Sequence, residues 1–271
     1  MSFIEDARWF AAPGAAAADA RPGRVTLVGA GPGDPELLTL RAVKALRGAR
    51  LVLYDHLVGK EVLRYVADDA DLIYVGKEAA HHTLPQQSII DLMVRLARSG
   101  RSLVRLKGGD GFIFGRGGEE AQALAEAGIA FEVVPGITAA QGAGACAGIP
   151  LTHRDHAATL VFATGHLREG NEVALDWQAL ARPRQTVVIY MGVGHLPVIC
   201  AELVRHGLPP GTPAALVEQA SLPGQRCVSG TLQDLPLLAQ QHGVRPPALI
   251  VVGEVVGLRP QLLQGMQAAA V

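Results

Sequence analysis

The sequence predicts an α/β protein of two domains with a ligand cleft between them. Short apolar runs typical of strands alternate with helical patterns along most of the 271 residues, which favours mostly parallel sheets covered by helices. The rhythm breaks at residues 134–155, where glycine, alanine and proline are frequent, and a different pattern follows. This change predicts a domain boundary near residue 136, and a cleft between two domains is a common place for a small-molecule site.

The first half alternates strand and helix regularly. Its strand candidates are the apolar runs at 25–30, 50–54, 71–75, 102–106 and 130–134. Its helix candidates lie near 37–47, 60–67, 86–98 and 118–127. The helix at 86–98 has the clearest pattern, because Pro85 precedes it, its apolar residues share one face and Gly100 follows it.

The second half predicts a mixed sheet. Its strand candidates are 158–164, 185–190, 213–218, 225–230 and 247–252, with helices near 196–206 and 231–241. A Pro-Gly turn at Pro223 joins two of these strands, which indicates antiparallel pairing. The predicted divisions are a flexible tail over 1–23, an N-terminal domain over 24–136, a C-terminal domain over 137–258 and a tail over 259–271.

Composition excludes several classes of function. The net charge is −1 and the pI about 6.8, so no basic field favours nucleic acid as a partner. No apolar stretch has the roughly 20 residues that a membrane span needs, and Glu5 and Asp6 stand where a signal peptide is basic. Three widely separated cysteines fit a reducing cytoplasm. With only 23 residues before the first strand, no further domain is expected ahead of it.

The stretch "VTLVGAGPGDPELLTL" at 25–40 resembles a dinucleotide-binding turn only locally. Such a turn needs G-x-G-x-x-G, whereas this stretch has G-x-G-x-G followed at once by Asp34 and Pro35. The pattern therefore argues against a pyrophosphate site. Asp34 is predicted to cap a helix that begins near Glu36.

The densest chemistry lies in "RLKGGDGFIFGRGGEE" at 105–120, between a strand and a helix. One interpretation is a flexible surface loop, since glycine loses much backbone entropy on folding. The favoured interpretation is that backbone at Gly108 and Gly109 approaches a ligand at the carboxyl end of a strand. Asp110 would then accept hydrogen bonds from a ribose or ammonium group, and Arg116 and Glu119 would bring charge into the cleft.

Nine motifs in this order carry a family resemblance: "VTLVGAGPGDPELLTL", "VLYDHLV", "VGK", "RLKGGDGFIFGRGGEE", "VPGITAA", "AGIPLTHRD", "TGH", "YMG" and "TPAALVEQ". Together they resemble the S-adenosylmethionine-dependent uroporphyrinogen-III C-methyltransferases, of the tetrapyrrole methylase class. The resemblance covers about residues 24–258, and the motifs at 105–120 and 147–154 are specific to the uroporphyrinogen enzymes.

The resemblance implies a reaction and its participants. Two methyl groups would pass from S-adenosyl-L-methionine to C2 and C7 of uroporphyrinogen III, giving precorrin-2 by way of precorrin-1 and two molecules of S-adenosyl-L-homocysteine. No metal would take part, and the protein would be a cytoplasmic homodimer. The product could serve sirohaem, cobalamin or haem d1 biosynthesis.

The resemblance also implies a set of site residues. The cofactor contacts fall at Pro32, Gly108, Gly109, Asp110, Ile113, Thr138, Ala139, Met191 and Ala220. The substrate contacts fall at Arg116, Glu119, Arg154 and Met191, and the residues named for catalysis are Asp55, Lys77 and Arg116. The family assigns the proton transfer to the aspartate and to the arginine alike; we favour Asp55 as acid/base participant and Arg116 as anchor, because guanidinium is a poor base.

Three positions depart from the family pattern. Gly111 replaces a proline, His56 replaces an arginine that would face the anionic substrate, and Ala220 replaces a glycine. The first change removes a restraint on φ. The second puts substrate affinity in question, and the third narrows the cofactor pocket by one methyl group.

Two alternative functions and one possible metal site also have to be considered. The chain could methylate a later corrin intermediate, or it could bind a tetrapyrrole without catalysis. His153, His156 and His166 suggest a metal site, but no cysteine or carboxylate set completes a tetrahedral shell. The expected metal content is therefore none.

Overall fold

A computed structural model describes residues 21–76, 85–165 and 175–268. The chain forms two units, divided between Thr138 and Ala139. Nearly all of the predicted N-terminal tail, together with Lys77 and His166, lies outside the described residues. The predicted fold class is confirmed, since each unit is a sheet with helices.

The N-terminal unit contains one sheet of five parallel strands in the order β3-β2-β4-β1-β5. The strands are β1 (Val25–Gly29), β2 (Leu51–Tyr54), β3 (Asp71–Tyr74), β4 (Leu103–Lys107) and β5 (Phe131–Val134). All five coincide with predicted strands to within one residue at each end. Because they are parallel, their carboxyl ends share one edge of the sheet.

Helices cover both faces of this sheet. They are α1 (Leu40–Arg47), α2 (Lys60–Leu63), α3 (Gln86–Arg98) and α4 (Gly117–Glu126), with a 3-10 turn at Pro35–Leu37. Side chains of α3 and α4 pack on one face and those of α1 and α2 on the other. Asp34 caps the 3-10 turn as predicted, since its Oδ1 accepts the Glu36 N–H at 2.9 Å.

The C-terminal unit contains a mixed sheet in the order β6-β7-β10-β8-β9. The strands are β6 (Thr159–Thr164), β7 (Gln185–Tyr190), β8 (Pro213–Glu218), β9 (Arg226–Thr231) and β10 (Ala248–Val252). β6 and β7 are parallel, and β10 is antiparallel to both β7 and β8. β7 and β8 therefore run in the same direction and end at the same edge.

The described helices of this unit are α5 (Ala139–Ala147), α6 (Trp177–Leu180), α7 (Leu196–Arg205), α8 (Leu235–Gln241) and α9 (Arg259–Ala268). Three of these five, α5, α6 and α9, occupy segments for which the sequence predicts no helix. α5 lies in the segment predicted to be turns. Packing explains Gly144, because a Cβ there would lie 2.9 Å from the Ile149 carbonyl oxygen.

The predicted C-terminal tail differs in the same way. Residues 259–268 form α9, and the Arg259 Nε donates to the Ala147 carbonyl oxygen at 3.0 Å. α8 begins at Leu235 instead of near 231, because β9 extends to Thr231 and a turn follows. No helix within the described ranges is long and apolar enough to cross a membrane.

Candidate active site

The carboxyl edge of the N-terminal sheet brings three glycine-containing loops together. They follow β1, β4 and β5, which are neighbours in the sheet. The Gly31 N–H donates to the Gly109 carbonyl oxygen at 3.1 Å, and the Gly109 N–H donates to that of Gly31 at 2.7 Å. Both glycines have left-handed backbone, with φ of 74° and 65°. The predicted cofactor residues Pro32, Gly108 and Gly109 thus belong to one assembly of loops.

Close packing between these loops explains most of their glycines. A Cβ at Gly136 would lie 2.3 Å from the Gly109 carbonyl oxygen, and one at Gly29 would lie 2.6 Å from the Gly136 nitrogen. A Cβ at Gly108 would lie 2.6 Å from the Leu57 Cβ. The sequence suggests that Gly108 is bare so that a ligand can approach. In the structure, contacts within the protein already require a glycine there.

The Asp110 side chain joins the loop after β4 to the loop after β5 by hydrogen bonds. Its Oδ1 accepts the Phe112 N–H at 2.8 Å, and its Oδ2 accepts the Gly136 N–H at 3.0 Å. The sequence suggests this carboxylate as an acceptor for ribose or ammonium. The structure instead uses one lone pair of each oxygen to order the loop, and further lone pairs remain for a ligand.

The segment after Asp110 combines exposed apolar side chains with unusual backbone. Phe112, Ile113 and Phe114 are exposed by 53%, 36% and 37%. Phe114 and Arg116 have φ of 50° and 59°, a conformation that costs free energy in residues other than glycine. Such strain clusters at functional sites, so these two residues favour the predicted ligand loop.

Arg116 and Glu119 form a two-point ion pair at the start of α4. The Arg116 Nε donates to Glu119 Oε1 at 2.9 Å, and a terminal nitrogen donates to Oε2 at 2.6 Å. The hydrogen bond to Glu119 raises the pKa of Arg116, and the same bond lowers the pKa of Glu119. A raised pKa keeps the Arg116 guanidinium protonated, so it has no free lone pair with which to accept a proton.

Asp55 follows β2 at the same edge of the sheet. Its Oδ1 accepts the Leu57 N–H at 3.1 Å, and its Oδ2 accepts a hydrogen bond from an Arg105 terminal nitrogen at 3.1 Å. The side chain is 20% exposed. The sequence leaves open whether Asp55 reacts or only orders its loop; the Leu57 contact is such an ordering contact, and the exposed fraction leaves the carboxylate accessible.

Beneath Asp55 lies a buried charged cluster that the sequence does not predict, formed by Arg105, Lys107 and Glu120. Their side chains are exposed by 3%, 4% and 0%, and Glu120 Oε1 contacts the Arg105 Nε at 3.2 Å and the Lys107 Nζ at 2.9 Å. Arg105 and Lys107 stand two residues apart in a strand, so they share a face. That spacing inside an otherwise apolar run is the signal that could have revealed the cluster.

Three predicted cofactor residues belong to the C-terminal unit, and two of them follow strands that end at the same edge of its sheet. Met191 follows β7, Ala220 follows β8, and Ala139 begins α5. The Ala140 N–H donates to the Tyr190 hydroxyl at 3.0 Å, which ties the start of α5 to the end of β7. Met191 is 52% exposed and has φ of 54°, so it too combines exposure with strained backbone.

Residues on both sides of Ala220 have the same backbone conformation. Gln219 and Ser221 have φ of 49° and 65°, so the loop after β8 turns through left-handed conformations without glycine. Ala220 itself is not among the left-handed residues. An alanine is therefore compatible with the backbone here, although the family pattern has glycine.

Arg154 does not join this edge. The Arg154 carbonyl oxygen accepts a hydrogen bond from the Arg184 side chain at 2.9 Å. Arg184 directly precedes β7, so Arg154 lies near the amino end of that strand. A six-residue strand spans roughly 20 Å, so Arg154 and Met191 lie at opposite edges of their sheet. Thr138 ends the N-terminal unit and is half-buried. Lys77 cannot be placed, because it lies outside the described residues.

Of the three histidines that suggested a metal, His153 and His156 are described and His166 lies outside the described residues. The rings of His153 and His156 lie 4.8 Å apart, and Asp155 is 79% exposed. Within the described ranges, no group of three or more histidine, cysteine, aspartate or glutamate side chains could hold a metal ion.

Gly111→Pro is expected to raise the free energy of unfolding by about 0.4–1 kcal/mol, because proline restricts the unfolded chain. Gly111 lies outside the left-handed region, and an added Cβ would meet the Lys107 Cδ at an ordinary 3.4 Å. Urea unfolding measures the change. A clearly lower midpoint would mean that the backbone of Gly111 does not accept the φ of proline.

Sequence comparisons place these motifs in a known family. Residues 24–236 match the family described as Tetrapyrrole (Corrin/Porphyrin) Methylases. A siroheme synthase of Methylobacillus flagellatus is 58% identical over 240 residues, 89% of this chain and 51% of that protein. One of Nitrosomonas eutropha is 55% identical over 240 residues, 89% of this chain and 50% of that protein. The chain thus spans about half the length of these curated relatives.

Solved structures agree with the sequence comparison. The uroporphyrin-III C-methyl transferase of Thermus thermophilus, complexed with S-adenyl homocysteine, is 44% identical with a TM-score of 0.75, covering 87% of this chain and 100% of that one. A cobalt precorrin-4 methyltransferase is 27% identical with a TM-score of 0.76, covering 86% and 95%. This chain therefore belongs to the tetrapyrrole methylase family, whose methyl donor is S-adenosylmethionine.

Proposed function

We propose that this protein transfers two methyl groups from S-adenosyl-L-methionine to C2 and C7 of uroporphyrinogen III, giving precorrin-2 by way of precorrin-1. The observation that carries the proposal is the joining of two motif loops by the Gly31–Gly109 hydrogen bonds, with Asp55 at the same sheet edge. The 44% identity to a uroporphyrin-III C-methyl transferase supports this choice of substrate over a later corrin.

The methyl donor would bind to the residues that the family resemblance names. S-adenosylmethionine supplies a methyl group on a positively charged sulfur. The residues proposed to hold it are Pro32, Gly108, Gly109, Asp110, Ile113, Thr138, Ala139, Met191 and Ala220. The loop chemistry fits such a ligand, because the hydrogen-bonded loops present backbone amides and carbonyls and Asp110 keeps spare lone pairs.

The substrate carries many carboxylates, and Arg116 is the proposed anchor for one of them. Its planar guanidinium can bind a carboxylate at two points. In the structure Glu119 takes two donors of that group, so the substrate would share or displace Glu119. Met191 is proposed as a further contact, while the proposed contact of Arg154 rests on the family resemblance alone.

Each transfer forms a carbon–carbon bond and breaks the carbon–sulfur bond of the donor, and the macrocycle loses one proton. S-adenosylhomocysteine leaves with the electron pair of the broken bond. We assign the proton to Asp55, whose carboxylate oxygens keep lone pairs beyond those used by Leu57 and Arg105. Lys77 is proposed as a second polar participant. Holding the reacting atoms in line can supply about 7–11 kcal/mol of the barrier reduction.

The proposal also covers the oligomeric state, the cellular location and the pathway of the enzyme. A homodimer in the cytoplasm is the proposed form, and precorrin-2 would be delivered to sirohaem, cobalamin or haem d1 biosynthesis. The siroheme synthase relatives favour the sirohaem branch for the product.

A substrate panel tests the function. The purified chain is incubated with methyl-labelled S-adenosylmethionine and either uroporphyrinogen III or a later corrin intermediate. We expect label only in the first macrocycle. Label only in the corrin would replace the proposed substrate, and binding of uroporphyrinogen III without any transfer would favour a non-catalytic tetrapyrrole-binding protein.

A further inference from the structure

We infer that Glu120 positions Asp55 through Arg105, and that Lys107 balances the charge of this buried group. The inference rests on the proposed function only in taking Asp55 as the residue that exchanges a proton. Glu120 is then a positioning residue that acts through Arg105, and Lys107 acts through its charge beside Glu120.

Glu120 is the centre of the cluster. It is fully buried, and its Oε1 accepts three hydrogen bonds: from the Arg105 Nε at 3.2 Å, the Lys107 Nζ at 2.9 Å and the Gln86 Nε2 at 3.1 Å. Its Oε2 has no hydrogen-bond partner in the described part of the chain. One oxygen therefore fixes three side chains that come from α3 and β4.

The geometry of arginine transmits this position to Asp55. Arg105 donates from Nε to Glu120, from one terminal nitrogen to the Leu106 carbonyl oxygen at 2.9 Å, and from the other to Asp55 Oδ2 at 3.1 Å. The guanidinium is planar and rigid, so two fixed donors determine where the third points. Glu120 thereby sets the direction of the hydrogen bond that Asp55 receives.

Charge balance is the second part of the inference. Arg105 and Lys107 carry two positive charges, and Asp55 and Glu120 carry two negative ones. Buried ions are costly unless paired, so removing one member leaves an uncompensated charge near Asp55. Among the described residues, Arg116 also interacts with Glu120 and Glu119 with Lys107, and these two side chains form an ion pair with each other at the start of α4. His56 adjoins Asp55 in the sequence and is a titratable group next to it.

Two substitutions change this balance in opposite directions. Glu120→Gln keeps an oxygen for the three donors and places its amide where Oε2 has no described partner, so it removes charge with little change of shape. Lys107→Met keeps most of the length of the side chain and removes its positive charge. The first variant leaves excess positive charge near Asp55, and the second leaves excess negative charge.

The measurement is the pH dependence of kcat. If Asp55 must be ionised to accept the proton, kcat falls at low pH as Asp55 becomes protonated. We expect this acidic limb of the kcat profile to move to lower pH in Glu120→Gln and to higher pH in Lys107→Met, each by about 0.5–1 pH unit. The double variant should return close to the wild-type limb. The acidic side is the one to follow, because low pH keeps Lys107 protonated although burial and Arg105 lower its pKa.

Controls separate this role from a structural one. Glu126→Gln makes the same change on the exposed side of α4 and should leave the limb in place. An acidic limb that stays fixed in both variants, or that moves in the same direction in both, would overturn the inference. A general loss of packing would not shift the limb in opposite directions in the two variants. If Glu120→Gln does not fold, Lys107→Met still tests the charge balance, because a limb that stays fixed or moves to lower pH in that variant would overturn the inference.

A second readout does not depend on turnover. The carboxyl carbon of Asp55, followed by NMR during a pH titration, should show the same opposite displacements in the two variants. A protein that fails to methylate uroporphyrinogen III would refute the proposed function, while this titration would still support or overturn the role of Glu120.

Discussion

Asp55→Asn is expected to lower kcat by about 10²–10⁴-fold, with little change in the KM for uroporphyrinogen III. The amide cannot accept the proton but keeps the size of the side chain and an oxygen for Arg105. Steady-state kinetics with both substrates measure the change. Circular dichroism verifies that the variant is folded.

Arg116→Lys is the comparison that separates base from anchor. Lysine keeps the positive charge but loses the two-point geometry, so we expect mainly a raised KM. Normal turnover in Asp55→Asn, together with an Arg116→Lys variant that binds the substrate but does not react, would reverse the two assignments.

Gly136→Ala is expected to abolish binding of S-adenosylhomocysteine and to lower the free energy of unfolding by about 1–3 kcal/mol. The new Cβ would lie 2.3 Å from the Gly109 carbonyl oxygen and 2.8 Å from the Gly29 carbonyl carbon. These neighbours are backbone atoms that cannot rotate away, so the three loops must separate. Calorimetric titration with S-adenosylhomocysteine and a thermal melt measure both effects.

Gly118→Ala is the matched control for that variant. It adds the same methyl group in α4, where a Cβ meets nothing within 4 Å. Alanine also favours a helix over glycine, so stability should stay equal or rise by up to about 1 kcal/mol. Unchanged affinity and melting temperature in Gly136→Ala would contradict the packing of the loops.

The strands of both sheets were predictable because their signal is local. Leu51–Tyr54 and the second half of Gln185–Tyr190 are apolar, and both ranges form strands. α5 was not predictable in this way. Its alanines favour a helix while its glycines disfavour one, so composition alone does not decide, and in the structure the segment is a helix whose Gly144 packs against Ile149.

The candidate site was predictable in part for a similar reason. Motif residues such as Gly109 and Arg116 are visible in the sequence, and the structure places both after β4, at the carboxyl edge of the sheet. The pairing of Glu120 with Arg105 and Lys107 depends on how α4 packs over β4. A sequence shows the charges but not their burial, which decides their energetic weight.

The number of S-adenosylhomocysteine molecules released per macrocycle consumed tests the central claim most directly. The purified chain is incubated anaerobically with uroporphyrinogen III and excess S-adenosylmethionine, and both products are quantified by chromatography. Transfer to C2 and C7 predicts a ratio of two, with precorrin-2 as the final product and precorrin-1 as a transient. Consumption of uroporphyrinogen III at a ratio of one, or no release of S-adenosylhomocysteine, would contradict the account.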